Sequence, residues 1–333
     1  MSSHDMNTAI GLDVGTSRVV MARKADDEFE FNTQLNAFVR IPYSKLTEGV
    51  LKKENIPFTV HGPDLVVHGN ESERFADLLG QEMRRPMRGG VLNPGEPESE
   101  KQLELIFRNL LGDGPAKDRK VYFSVPSAPM GSDENITYHE ASIRQILARM
   151  GYDVHPIHEG LAVVYGEMEA SNYTGIGISC GGGLCNVCLA YLSVPVVTFS
   201  VPKAGDFIDA SASAAVGEIA TRIRIAKEND FHFNGHFSDK VKQVISVYYE
   251  DMINSLVSGM KDSLAATKTL PKLGRPIPLV LAGGSVMPRG FRDRFEKALK
   301  AADFPIPISE VRLATNPLYS TAKGALVAAL SEA

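Results

Sequence analysis

Ala9-Ile-Gly-Leu-Asp-Val-Gly-Thr-Ser-Arg-Val-Val-Met-Ala22 and Gly175-Ile-Gly-Ile-Ser-Cys-Gly-Gly-Gly-Leu-Cys-Asn-Val-Cys-Leu-Ala-Tyr191 share one plan. Each reads as an apolar strand, a tight turn through glycine and a second apolar strand. The two begin about 166 residues apart, half of a 333-residue chain. An echo at that distance argues for a duplicated α/β domain whose two turns face each other.

The rest of the chain fits that plan. A further β-rich stretch, Glu28 to Ile41, follows the first hairpin, and an irregular, charged region punctuated by Pro and Gly runs from Tyr43 to Pro115. It reads as an inserted subdomain with one helix, Glu98 to Leu111, after the Asn93-Pro-Gly turn. Lys120 to Pro126 is a buried strand, Asp133 to Met150 has helical spacing and stops at Gly151, and a short strand at Val154 to Ile157 precedes a helix from Leu161 to Met168. In the second half, helices are expected over Phe207 to Lys227, Asp239 to Ala266 and Phe291 to Ala302, with a strand at Pro278 to Ala282 and a last helix from Ser320 to Leu330. Strands alternating with helices imply open sheets covered on both faces.

Composition excludes several classes. Lys and Arg number 35 against 40 Asp and Glu, with 44% hydrophobic and 23% charged residues, which is ordinary globular usage rather than disordered or fibrous. A net charge of −5 argues against a nucleic-acid partner. Leu189 to Val201, the longest apolar segment, is broken by Ser193, Pro195 and Thr198, so no membrane span is expected. The polar N-terminus has no basic or apolar leader region, which makes the cytoplasm the expected location without a direct membrane anchor. The sequons at Asn70, Asn135 and Asn172 then read as chance matches. Cys180-x4-Cys185-x2-Cys188 has ferredoxin-like spacing but lacks a fourth thiolate, and buried reduced cysteines are the expectation.

Three glycine turns end buried strands: Asp13-Val-Gly-Thr-Ser17, Gly181-Gly-Gly183 and Gly283-Gly-Ser285. Such turns let backbone N–H groups converge on phosphate without a side chain in the way. No Lys-Ser/Thr follows them in the P-loop manner, and no Gly-x-Gly-x-x-Gly opens a helix after a strand. In order, Ile10 to Ser17, Ile157 to Gly166, Ile178 to Val187, Val280 to Val286 and Ser320 to Ala325 resemble the five motifs of the actin/Hsp70/sugar-kinase superfamily. Arg85-Pro-Met-Arg-Gly-Gly-Val-Leu92 and Val201 to Asp206 are similar to segments of bacterial actins of the MreB and MamK kind.

The resemblance implies duplicated actin-like (ribonuclease H-like) domains around a nucleotide cleft. Domain I is expected over 1–170 plus 318–333, with an insertion at about 43–115. Domain II is expected over 171–317, with an insertion at about 207–272. It implies ATP and Mg2+ as cofactors, with Asp13 at the metal, Gly15, Thr16, Ser17, Gly181, Gly182 and Gly183 on the phosphates, and Gly283, Gly284 and Ser285 against the adenosine. Gly205 and Asp206 are expected nearby. Asp before a turn also caps its own backbone, so Asp13 has a purely structural alternative.

Departures from the family pattern bear on activity. Ser179 stands where the second phosphate loop begins with Asp, and Leu184, Cys185 and Asn186 stand where it has two hydroxyl residues and an acid. The water-orienting position falls on His158, with Glu159 as its neighbour, and these two are the catalytic candidates. Nucleotide binding with slow or absent hydrolysis follows. The expected function is a filament-forming actin-like ATPase that self-associates head to tail. The alternatives are a non-polymerising, nucleotide-dependent interaction protein of the same fold and a small-molecule kinase. His155-x2-His158-Glu159 and His232-x3-His236 have weak metal-like spacing, and Arg84-Arg85-Pro-Met-Arg88 is a short basic run that is either a solvated face or a partner contact.

Overall fold

The computed structural model describes residues 9–81, 83–112, 119–130, 136–233, 237–267, 270–271 and 274–331. The N-terminal residues 1–8, the start of the helix expected from Asp133, the sequon at Asn135 and His236 lie outside these. The first half opens with β1 (Ile10–Val14), β2 (Arg18–Ala25) and β3 (Glu28–Leu35). An insertion follows with β4 (Phe38–Pro42), α1 (Lys45–Lys53), β5 (Phe58–His61), β6 (Asp64–His68), α2 (Glu71–Leu79) and the short hairpin β7 (Met87–Arg88) and β8 (Val91–Leu92). The half closes with α3 (Ser99–Leu111), β9 (Lys120–Val125), α4 (Ile136–Arg149), β10 (Asp153–His158) and α5 (Glu159–Glu167). The second half begins with β11 (Gly175–Cys180), β12 (Cys185–Tyr191), β13 (Val194–Val201), α6 (Gly205–Val216) and α7 (Ala220–Asn229). It ends with α8 (Lys240–Ala266), β14 (Ile277–Ala282), α9 (Phe291–Ala301), β15 (Ile308–Leu313) and α10 (Ser320–Ser331).

The two large sheets have the same order. One runs β10-β9-β1-β2-β3 and the other β15-β14-β11-β12-β13. In each, the first three strands pair antiparallel and the later two add in parallel. The turns match as well: Gly15 N–H donates to the Arg18 carbonyl at 3.0 Å, and Gly181 N–H to the Leu184 carbonyl at 3.0 Å.

Strand alternation decides what each face meets. Ile10, Leu12 and Val14 enter a core with Leu103, Ile106 and Phe107 of α3 and Ile143, Ile146 and Leu147 of α4. Ile176, Ile178 and Cys180 enter a second core with Ile208, Tyr249, Met252, Phe291 and Phe295. The alternate positions, Gly11 with Asp13 and Gly177 with Ser179, face the layer between the sheets. There α5 and α10 pack on each other, burying Ala162, Val163, Ala322, Ala325 and Ala329. Close approach explains the glycines: a side chain on Gly11 would strike the backbone of Ala322 and Leu326, and one on Gly177 would strike that of Gly160. No described helix is long and apolar enough to cross a membrane.

Two expectations need correction, and a third, the β-rich stretch after the first hairpin, is borne out as two strands. The helix expected over Phe207–Lys227 is two, because Gly217 adopts φ +76°, caps α6 on the Ser213 carbonyl and lets α7 start afresh at Ala220. The stretch Glu28–Ile41 divides at Asn36, whose N–H and side-chain amide donate to the carbonyls of Ser17 and Gly15, and β4 joins the small sheet β4-β6-β5. The insertion also holds α1 and α2, amphipathic helices of 9 residues each that are too short to stand out in a stretch punctuated by Pro and Gly.

His68 and His139 are both 1% exposed, and burial pushes each imidazole from its ordinary 6.5 down to about 4. The unfolded chain takes these protons near pH 6.5 and the folded chain only near 4, so stability is complete above that window and falls as pH drops through it. Each costs about 2.5 kcal/mol by about pH 4.5. His139→Gln should reduce the stability lost between neutral and acid pH by about that amount, as read from urea midpoints at the two values.

Candidate functional site

β1, β11 and β14 run toward one gap between the halves, and their carboxyl ends deliver the three glycine turns to it. The cleft has a volume of about 760 Å³, within the ordinary range for small-molecule sites. Asp13, Gly15, Thr16, Ser17, Gly181, Gly182, Gly183, Gly205, Asp206, Gly283, Gly284 and Ser285 all line it. Glu159 lines it too, whereas His158 does not. His158 is the last residue of β10, paired with Val125 of β9, and the chain becomes helical at the next residue. The first turn of α5 therefore presents Glu159, rather than His158, to the cleft.

At its closed end the two matching turns meet. A side chain on Gly182 would overlap Ser17, and one on Gly183 would overlap Thr16 and the Gly90 backbone. Gly90 N–H donates to Thr16 Oγ1 at 3.0 Å, and Arg85 Nη1 donates to Ser17 Oγ at 3.3 Å and to Asp206 Oδ1 at 2.7 Å. Gly205 and Asp206 N–H groups donate to the Gly181 and Gly182 carbonyls, and Ser285 Oγ donates to the Gly181 carbonyl at 2.7 Å. Those contacts tie α6 and the third turn to the second. Three of the four departures in the second loop have structural work: Leu184 packs on Gly90, the Cys185 thiol donates to the Lys203 carbonyl, and Asn186 Oδ1 accepts from Ser127 N–H.

Two carboxyls face the gap. Ser124 Oγ donates to Asp13 Oδ1 at 2.8 Å and itself accepts from Val14 N–H, so hydroxyl and carboxylate are fixed together. Burial pushes the Asp13 carboxyl up to about 6 despite that bond. Glu159 accepts from Ser179 Oγ at 2.9 Å, and burial, reinforced by the neighbouring Asp13 charge, pushes it up to about 8. Ser179 repeats the position of Asp13, and its hydroxyl avoids a third negative charge. Among the described residues no three His, Cys, Asp or Glu cluster as a metal cage. A cation at Asp13 therefore needs further oxygens from ligand and water.

The wider end of the cleft was not legible in sequence. Lys227 Nζ meets Asp209 Oδ1 at 2.7 Å and donates to the Gly205 carbonyl, both side chains being nearly buried. Arg224, Glu228, Phe231, Tyr249 and Met287 complete that wall. They come from three helices and two loops, with no common motif to mark them. Of the remaining candidates, His232 lines the cleft, whereas His155 pairs with Asp153 and stacks on Tyr122, and Cys180 sits opposite Cys185 across β11 and β12, both buried.

The sequence model of one protein family, described as Volactin, matches residues 8–329. No curated protein matches the sequence. The fold is similar to that of "MamK double helical filament", at a TM-score of 0.72 and 17% identity, covering 98% of each chain. It is also similar to MreB5 of Spiroplasma citri bound to AMPPNP, at 0.66 and 15% identity over 95% of this chain and 94% of that one. The ethanolamine utilization protein EutJ from Carboxydothermus hydrogenoformans aligns at 0.55 and 15% identity over 96% and 89%. The fold is thus actin-like, of the MreB and MamK type.

Contact between the turns is open to a direct check. Gly183→Ala forces the two apart and should destabilise the protein by about 1–3 kcal/mol. Gly284→Ala, which meets nothing within 4 Å, should stay within about 0.5 kcal/mol in the same thermal or denaturant unfolding series.

Proposed function

The chain belongs to the Volactin family, and on that premise we propose that it is an actin-like ATP-binding protein that assembles into filaments and hydrolyses ATP slowly. The observation that carries this reading is the convergence of all three glycine turns on one cleft, with Asp13 and Glu159 at its closed end. Under it the chain divides into domain I, residues 1–170 with 318–333, and domain II, residues 171–317.

The residues present fit a magnesium nucleotide. Backbone N–H groups of Thr16 and Ser17 and of Gly182 and Gly183 bind phosphate oxygens from the two walls, while those of Gly15 and Gly181 close the turns. Gly283, Gly284 and Ser285 lie against the adenosine. Asp13 is a hard oxygen donor with no cationic side chain paired to it among the described residues, and it would hold Mg2+ through water. When bound, the ion neutralises phosphate charge. Glu159, anchored by Ser179, orients water within the closed end. The missing acid at Ser179 and the missing hydroxyls at Leu184 and Cys185 leave fewer groups to stabilise developing charge, and slow turnover follows.

Support for assembly is coarser. A relative of this fold is described as a double helical filament, and another as bound to AMPPNP. Head-to-tail contacts that do not close produce filaments of this kind. The cytoplasm is our proposed location for such filaments.

Calorimetric titration with AMPPNP and Mg2+ tests binding. Asp13→Ala should abolish it, and retained affinity in that variant contradicts the reading. Glu159→Gln should keep binding while turnover of ATP falls about 100-fold, and His158→Ala should change neither. Pelleting and negative-stain microscopy test assembly: filaments should form with ATP and not without nucleotide. A nucleotide-binding monomer in every condition supports the non-polymerising alternative.

A further inference from the structure

Three ion pairs cross from the first half to the second beside the cleft. Arg85 of the insertion meets Asp206 of α6 at 2.7 Å. Glu73 of α2 meets Arg224 of α7, and Arg18 of β2 meets Glu228 of α7 at 3.6 Å. Arg224 also pairs with Glu228 at 3.3 Å, so Glu73, Arg224, Glu228 and Arg18 form one continuous chain that grips α7 from two sides. Arg224 is only 5% exposed, and Arg18, Arg85, Asp206 and Glu228 lie between 22% and 39%. Single exposed pairs contribute little, but a linked set with a buried member is screened less and shares its ordering cost.

Both arms of this network end on the same turn. Ser17 accepts from Arg85, and Arg18, the next residue, holds Glu228. Ser17 is also a residue the phosphates are proposed to contact, so ligand and ion pairs act on adjacent atoms. We propose that these arginine–carboxylate pairs form a latch that keeps the cleft closed and sets how fast nucleotide leaves it. In this role Arg85 is a positioning residue: it touches Ser17 and Asp206 and lies outside the cleft lining. The inference rests on the nucleotide-binding reading for its kinetic consequence, while the closure itself is a property of the protein alone.

Two measurements separate those parts. Release of a fluorescent ATP analogue, chased with excess ATP, should speed up about tenfold or more in Glu73→Gln with Arg85→Gln, a change of about 1.4 kcal/mol or more. Raising NaCl from about 50 to about 500 mM should speed release from the unaltered protein and add little in the double variant. Arg222→Gln removes an exposed arginine of α7 whose one ion-pair partner among the described residues is Glu218, and should release the analogue at the unaltered rate. Without nucleotide, hydrogen exchange over residues 71–79 and 220–229 should accelerate in the double variant. Unchanged exchange and unchanged release there overturn the latch. Faster exchange in a protein that binds no nucleotide retains the latch and overturns the nucleotide reading instead.

Discussion

A side chain at Gly324 would run into the carbonyl of Ala162, and that prohibition fixes how closely α5 and α10 can lie. Everything at the cleft depends on the spacing. Each helix closes one half of the chain and packs between the two sheets, where alanines and glycines replace the larger side chains of the outer cores. Because Gly11 and Gly177 also admit helix backbone against strand backbone, both sheets come close to this shared layer. Their central strands then end side by side, and the turns that follow touch. A bulkier residue at any of these crossings would separate the walls of the site without touching a residue that lines it.

The electrostatics of the closed end follow from the same closeness. Asp13 and Glu159 are desolvated side by side, so each carboxyl is harder to ionise, and the second is raised further by the first. Ser124 and Ser179 hold one oxygen of each in place. Such an arrangement is costly while it stays uncompensated and favourable once a cation and a polyanion enter together. Leu184 and Cys185 show the opposite trend. They use positions in the second glycine turn for packing on Gly90 and for a bond to the Lys203 carbonyl, and so give structural closure in place of hydroxyls facing the cleft.

The duplicated plan was legible because strand–glycine–strand patterns obey a period of two and recur at a fixed offset. The three turns were legible because consecutive glycines have few other uses at the ends of buried strands. What escaped notice had no local signal. Glu159 rather than His158 faces the cleft because β10 ends and α5 begins between them, and a one-residue boundary decides which side chain turns inward. Lys227 with Asp209, and Arg224 with Glu73, are pairs brought together only by tertiary packing. The break at Gly217 was readable in principle, since glycine in the left-handed conformation is the commonest helix C-terminal cap.

The central claim is that three separate turns bind one ligand. Hydrogen exchange with and without AMPPNP and Mg2+ measures it most directly, because each turn contributes its own backbone amides. The account predicts that residues 15–17, 181–183 and 283–285 gain protection together, at the same ligand concentration. Protection confined to one turn, or absent from all three at saturating ligand, contradicts it.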